Sequence, residues 1–135
     1  MKILVIEDEF ISRVKLQKIL SRYGECHIAV NGEEMMEAFV EAHHENDPYD
    51  LLTVDIRLPD ISGQEIVRRI REWEKDNGVV TSDKEAKILM VTAMSDGKNI
   101  MASFKEGCEG YVVKPFDFNK IADALSRMDI HPPYR

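Results

Sequence analysis

Four short apolar runs each hand the chain directly to a polar group: KILVI (2–6) to Glu7 and Asp8, LLTV (51–54) to Asp55, KILMV (87–91) to Thr92, and GYVV (110–113) to Lys114. Three carboxylates, a hydroxyl and an ammonium form a set suited to phosphate. Carboxylates gathered closely repel, and one tends to stay protonated unless a cation is shared between them. Oxygen donors of this kind suit Mg2+, which keeps several waters and favours sites shared with phosphate oxygens. A lysine supplies a point charge for an anion, and a threonine hydroxyl can donate to it. A carboxylate exposed at a strand end is a known nucleophile for phosphoryl transfer, a reaction in which protein groups mostly position and neutralise. Taken singly, each residue has a plainer role. Glu7 and Asp8 would favour the positive end of a helix dipole, Lys114 would be surface charge, Thr92 a strand end and Asp55 a loop cap. Their joint placement points to the chemistry.

Five elements of each kind are needed to hold these groups. The fifth apolar run, CHIAV (26–30), leads into Asn31-Gly32 and carries no obvious chemistry. Continuous apolar runs of this length predict strands buried on both faces of a parallel sheet. Helical spacing recurs between them. Residues 9–22 set Phe10, Val14, Leu16, Ile19 and Leu20 close to one stripe, and 33–45 offer Met35, Met36, Phe39 and Val40. Residues 63–75 offer Ile66, Val67, Ile70 and Trp73; 98–106 offer Ile100, Met101 and Phe104; 117–128 offer Phe118, Ile121, Ala122, Leu125 and Met128. Breakers fall between the elements, and Asn31 with Glu34 reads as a capping box. Strand and helix alternating five times predict a doubly wound α/β fold with right-handed crossovers. Ligands of such sheets bind at the carboxyl ends of the strands, where the polar groups stand. The stretch 74–87 reads as a solvated polar insertion.

The 135 residues suit one domain, and 44% apolar with 32% charged content reads as globular. No apolar run approaches the roughly 18 residues of a membrane span, and the opening MKILVIEDEF lacks the form of a signal peptide. A cytoplasmic protein is expected, with no membrane partner. The net charge of −7 argues against direct nucleic-acid binding. Cys26 and Cys108 have no metal-ligand spacing and read as reduced, partly buried thiols, and the four histidines form no ligand pattern.

With VIEDE (5–9), VDIRLPDISG (54–63), VTA (91–93) and YVVKPF (111–116) in this order, the chain resembles the receiver domain of two-component response regulators, the family of the bacterial chemotaxis regulator. The resemblance covers roughly residues 1–128, leaving 129–135 as a short tail. It implies a flavodoxin-like (βα)5 fold with strand order 2-1-3-4-5. By position it implies that Asp55 is the phosphoacceptor. It also implies that Asp8, Asp55 and less directly Glu7 bind Mg2+ with the backbone carbonyl of Arg57, and that Lys114 binds phosphate. Thr92 takes the place of the switch hydroxyl and Tyr111 that of the switch aromatic; Lys114-Pro115 matches a pair often joined by a cis bond. The implied cycle runs from a phosphohistidine on a sensor histidine kinase or histidine phosphotransfer protein to Asp55. A face made of the fourth helix, fifth strand and fifth helix then changes its affinity for a downstream protein target. Met101, Lys105 and Phe118 are candidate positions there, Phe118 reading more as core. Monomer and phosphorylation-dependent dimer both fit.

Some residues depart from the family pattern. Leu58 replaces a frequent Met before Pro59, a nearly volume-conserving change, and Glu7 replaces a frequent Asp. Arg57 and Met94, two residues after Asp55 and Thr92, should border the path of the attacking water and tune phosphoryl lifetime. Other readings fare worse. A pseudo-receiver working without phosphorylation has no use for the whole site. A flavodoxin-like cofactor binder wants a Gly/Ser/Thr-rich loop where Glu-Asp-Glu stands. An aspartyl-phosphate phosphatase wants a carboxylate at position 57. The expected protein catalyses only its own phosphorylation and dephosphorylation, either as a stand-alone receiver or as the receiver of a longer regulator.

Overall fold

The computed structural model describes residues 1–81 and 83–133. Strands β1 (Lys2–Ile6), β2 (Glu25–Ala29), β3 (Leu51–Val54), β4 (Lys87–Thr92) and β5 (Gly110–Val113) alternate with helices α1 (Phe10–Leu20), α2 (Gly32–His44), α3 (Gly63–Asp76), α4 (Gly97–Glu106) and α5 (Phe118–Arg127). All strands are parallel, in the order β2-β1-β3-β4-β5, so the expected doubly wound fold is the observed one.

Alternation along the three inner strands explains the two cores. Leu4, Ile6, Leu52, Val54, Ile88 and Met90 face α2 and α3, where Met35, Phe39, Ile66 and Ile70 meet them. Ile3, Val5, Leu51, Leu89 and Val91 face α1 and α5, where Leu16, Leu20, Ile121 and Leu125 complete the layer. Successive strand side chains point to opposite faces, so a run that is apolar throughout can serve both layers. The outer strands differ from expectation. β2 begins one residue earlier than its apolar run, and Glu25–Ile28 retain exposure because no strand among the described residues pairs beyond that edge. Helices α2, α3, α4 and α5 are started by Asn31, Ser62, Asp96 and Asp117, whose side chains accept from the amides of Glu34, Glu65, Asn99 and Lys120. Ile130, in the expected tail, is buried in the α1/α5 core; the tail's last two residues lie outside the described ones.

Three helical stripes need correction. In α1 the buried face is Ser12, Leu16, Ile19 and Leu20. Phe10 (67% exposed) and Val14 (46%) point outward, because a step of two residues turns about 200° round a helix. In α4 only Ser103 is buried, while Met101 is 74% exposed and Phe104 also faces solvent. Its inner side is polar: Gln64 of α3 donates to the Asn99 carbonyl (3.2 Å) and to Ser103 Oγ (3.2 Å). In α5, Phe118 is half-buried against the second core and Ala122 is not among the buried residues.

The stretch 74–87 is solvated in its middle, as expected, but anchored at both ends. Residues 74–76 belong to α3, and Glu74 is 1% exposed. Its carboxylate accepts from the Ala86 amide (2.8 Å) and from Arg71 Nη1 (2.7 Å). Arg71 also donates to the carbonyls of Ala86 (2.8 Å) and Gly107 (2.9 Å) and pairs with Glu109. One guanidinium thus joins the end of α3, the entry to β4, the end of α4 and the start of β5. Ser82 lies outside the described residues.

Burial raises the Glu74 carboxyl pKa, against the opposing pull of Arg71. A folded pKa above the unfolded one means that the native state binds more protons in that window. Stability from this group is therefore fully present below about pH 4.5 and is lost as pH rises through the raised folded value. Urea unfolding across a pH series is expected to show a falling stability difference between the parent and Glu74→Gln from about pH 4.5 upward; a flat difference would refute the assignment. Thr53 is 1% exposed, and among the described residues its hydroxyl has no hydrogen-bond partner. Thr53→Val should raise stability by about 1 kcal/mol, because it removes an unpaired buried polar atom at little cost in shape. A lower urea midpoint for the valine variant would contradict this.

Candidate functional site

The carboxyl edge of the sheet gathers the groups that the strand ends deliver. Parallel pairing sets Ile6 beside Val54 and Thr92 beside Val113, so the residues that follow share one rim. Glu7 extends β1 by donating its amide to the Ala29 carbonyl (3.1 Å), and Asp55 extends β3 by donating to Ile6 (3.4 Å). The Lys114 amide donates to the Thr92 carbonyl (2.8 Å). The strand ladder thus places Glu7, Asp55 and Lys114 before any side chain chooses a partner.

Lys114 Nζ donates to Asp55 Oδ2 (2.8 Å) and lies 2.6 Å from Glu7 Oε1. The second contact is short but poorly directed for a hydrogen bond, and that oxygen has no well-aligned donor. The contact is an ion pair. Asp55 Oδ1 accepts from the Arg57 amide (3.2 Å), and Glu7 Oε2 accepts from the Glu9 amide (3.2 Å). Glu7 (1% exposed) and Asp55 (6%) are buried, whereas Asp8 is open to solvent. Burial raises the Glu7 carboxyl pKa, with Lys114 pulling the other way and Asp55 adding to the rise. Burial by itself would lower the Lys114 ammonium, but Asp55 and Glu7 outweigh it and hold that pKa above its ordinary value.

Oxygens of Glu7, Asp8 and Asp55 lie within 4.8 Å of one another. Three carboxylates so close, two of them buried, fit a hard divalent cation. Lys114 neutralises part of the charge meanwhile. The carbonyl of Arg57 belongs to an exposed residue of the loop that follows Asp55.

The rest of the predicted set sits around this centre. Thr92 is fully buried, and its hydroxyl accepts from the Met94 amide (3.4 Å); among the described residues no hydrogen bond joins it to Asp55. Tyr111 donates its phenol to the Met94 carbonyl (2.6 Å) and packs on the α2/α3 core. Met94 therefore contacts both the hydroxyl and the aromatic residue through its backbone. Lys114-Pro115 is cis, as its resemblance implies. Cys108 is buried and free, its thiol pKa pushed up to about 12 by burial, and Cys26 is free and half-buried.

Gly63, expected to turn the chain into α3, is also required sterically, while the contributions of Asp60 and Arg13 had no signal in the sequence. A Cβ at Gly63 would fall well inside van der Waals contact of the Asp55 carbonyl, so only glycine lets α3 start this close to the loop. Asp60 accepts from the amides of Gly32 (2.9 Å) and Glu33 (3.0 Å), tying that loop to α2; those amides hold its carboxyl pKa below the usual range. Arg13 donates to the carbonyls of Glu7 (3.3 Å) and Asp8 (3.2 Å).

Comparison with known proteins bears on the family and the fold. A family model described as the response regulator receiver domain matches residues 3–126. The chain is 32% identical over 129 residues to the two-component response regulator PhoP of Pseudomonas aeruginosa, covering 95% of this chain and 51% of that protein. It is 26% identical over 129 residues to the chemotaxis protein CheY of Thermotoga maritima, covering 94% of this chain and 96% of that one. The solved BeF3-activated receiver domain of DrrB, from Thermotoga maritima, superposes with a TM-score of 0.74 at 25% identity, covering 93% and 94% of the two chains.

Proposed function

The chain belongs to the response regulator receiver domain family, and from that premise we propose that Asp55 accepts a phosphoryl group from a phosphohistidine and that the change alters binding to a protein target. Receiver domains are in general non-enzymatic signalling modules that bind Mg2+ at an acidic site and interact with histidine kinases and phosphotransfer proteins. One observation carries the reading: Asp55 stands at the sheet edge with the Lys114 ammonium on one oxygen and the oxygens of Glu7 and Asp8 within 4.8 Å.

In the proposed reaction an Asp55 carboxylate oxygen attacks phosphorus as the phosphorus–nitrogen bond of the donor breaks. Glu7, Asp8, Asp55 and the Arg57 carbonyl would hold Mg2+, which when bound neutralises phosphoryl charge. Lys114 turns from Asp55 to the incoming oxygens, and the Thr92 hydroxyl supplies a donor. The product carries about two negative charges beside Glu7 and Asp8. Thr92 is linked to Tyr111 through Met94, so movement of the hydroxyl would be felt at the face of α4, β5 and α5. That face exposes Met101, Lys105 and Phe104. Among the described residues no helix is long and apolar enough to cross a membrane; we assign the chain to the cytoplasm, where phosphohistidine donors act.

The test is incubation with Mg2+ and acetyl phosphate followed by intact mass. Gain of one phosphoryl group, lost when Mg2+ is chelated, is the expected result. No gain would favour a pseudo-receiver. A second expectation concerns lifetime: Arg57→Asn and Met94→Glu should each change the rate of phosphoryl loss, since both residues flank Asp55 and Thr92. Equal decay in the parent and both variants would remove that role.

A further inference from the structure

The segment that carries Lys114 is gripped by two other lysines. Lys120 Nζ donates to the carbonyls of Val113 (3.0 Å) and Pro115 (2.9 Å), one on each side of Lys114. From α1, Lys15 Nζ donates to the carbonyl of Phe116 and sits 4.7 Å above that ring. Phe116 itself is buried in the α1/α5 core. Among the described residues, neither ammonium lies within ion-pair distance of a carboxylate, although the chain carries 25 Asp and Glu.

Lys120 occupies a position where a cation is disfavoured. It is the third residue of α5, near the positive end of the helix dipole. Two backbone carbonyls offset that cost, and those carbonyls bracket the residue that reaches Asp55. With the Lys114 amide fixed to Thr92 (2.8 Å), the segment is pinned at Val113, Lys114, Pro115 and Phe116 in turn. We propose that Lys120 and Lys15 are positioning residues for phosphoryl transfer, setting where the Lys114 ammonium stands relative to Asp55. The inference rests on the reading of Lys114 as the cation that meets the phosphoryl oxygens.

Small displacements of a positioned group cost about ten- to a hundredfold in rate. Lys120→Met, which keeps the aliphatic stem, is therefore expected to slow phosphoryl gain from acetyl phosphate about tenfold, with Lys15→Met in the same direction. Lys120→Arg, which restores donors to both carbonyls, should recover most of the rate. A double-mutant cycle separates positioning from general damage. Placed on a Lys114→Ala background, Lys120→Met should change the rate less than twofold, because the group it positions is gone. Lys120→Met at the parent rate, no recovery in Lys120→Arg, or an equal loss in both backgrounds would overturn the proposal. Failure of the underlying reading looks different: the parent itself would gain no phosphoryl group.

Discussion

Asp55→Asn gains no phosphoryl group from acetyl phosphate and Mg2+ under conditions in which the parent gains one; this is the largest expected effect of any single substitution. The amide is a poor nucleophile, and it replaces one of three carboxylates whose oxygens lie within 4.8 Å. If its nitrogen faces Lys114 Nζ, which stands 2.8 Å from Asp55 Oδ2, donor meets donor. The variant nevertheless should fold. Glu7 still pairs with Lys114 at 2.6 Å, and loss of the Asp55 charge removes one contribution to the raised Glu7 pKa. Intact mass reads the gain, and peptide mapping of the parent locates it. A variant that gains mass like the parent would move the acceptor away from Asp55.

Arg71→Ala is expected to cost about 3–5 kcal/mol of stability at neutral pH, the range for removing one partner from a buried charged pair. Glu74 would keep its carboxyl at 1% exposure with only the Ala86 amide as donor, and the carbonyls of Ala86 and Gly107 would lose theirs. Sign and pH dependence go together. Without the guanidinium the Glu74 pKa rises further, so protonation relieves more of the damage and the cost shrinks as pH falls toward 4.5. Urea unfolding at pH 7 and near pH 5 checks both parts. A loss below about 1 kcal/mol at pH 7 would mean that these contacts are worth no more than exposed ion pairs.

These two residues show where sequence reading works and where it stops. Asp55 was legible because its run, LLTV, is uncharged and mostly apolar, so the change of type is abrupt. Arg71 was not. It stands in RRIREWEK (68–75), where alternating charges look like a solvated helix face, and its partners at Ala86, Gly107 and Glu109 lie 15 to 38 positions away in the chain. The polar stretch after α3 therefore read as loose, although Glu74 and Ala86 are buried. Helix α4 misled in the opposite direction. Ile100, Met101 and Phe104 share a stripe, but α3 offers Gln64, and the helix turns Asn99 and Ser103 toward it.

Local rules were sufficient where one element is buried by its own composition. The inner strands, the helix starts and the strand-end placement of Glu7, Asp8, Asp55, Thr92 and Lys114 follow from runs, caps and alternation, because these depend on neighbours within a few residues. The tertiary structure decided which face of α1 and α4 turns inward and which lysines hold the backbone around Lys114. Those outcomes depend on groups brought together across the sheet. Lys15 and Phe116, for instance, are 101 positions apart. Local pattern has no term for such pairs, since only packing of the helices on the sheet decides which side chain has a carbonyl or a carboxylate within reach.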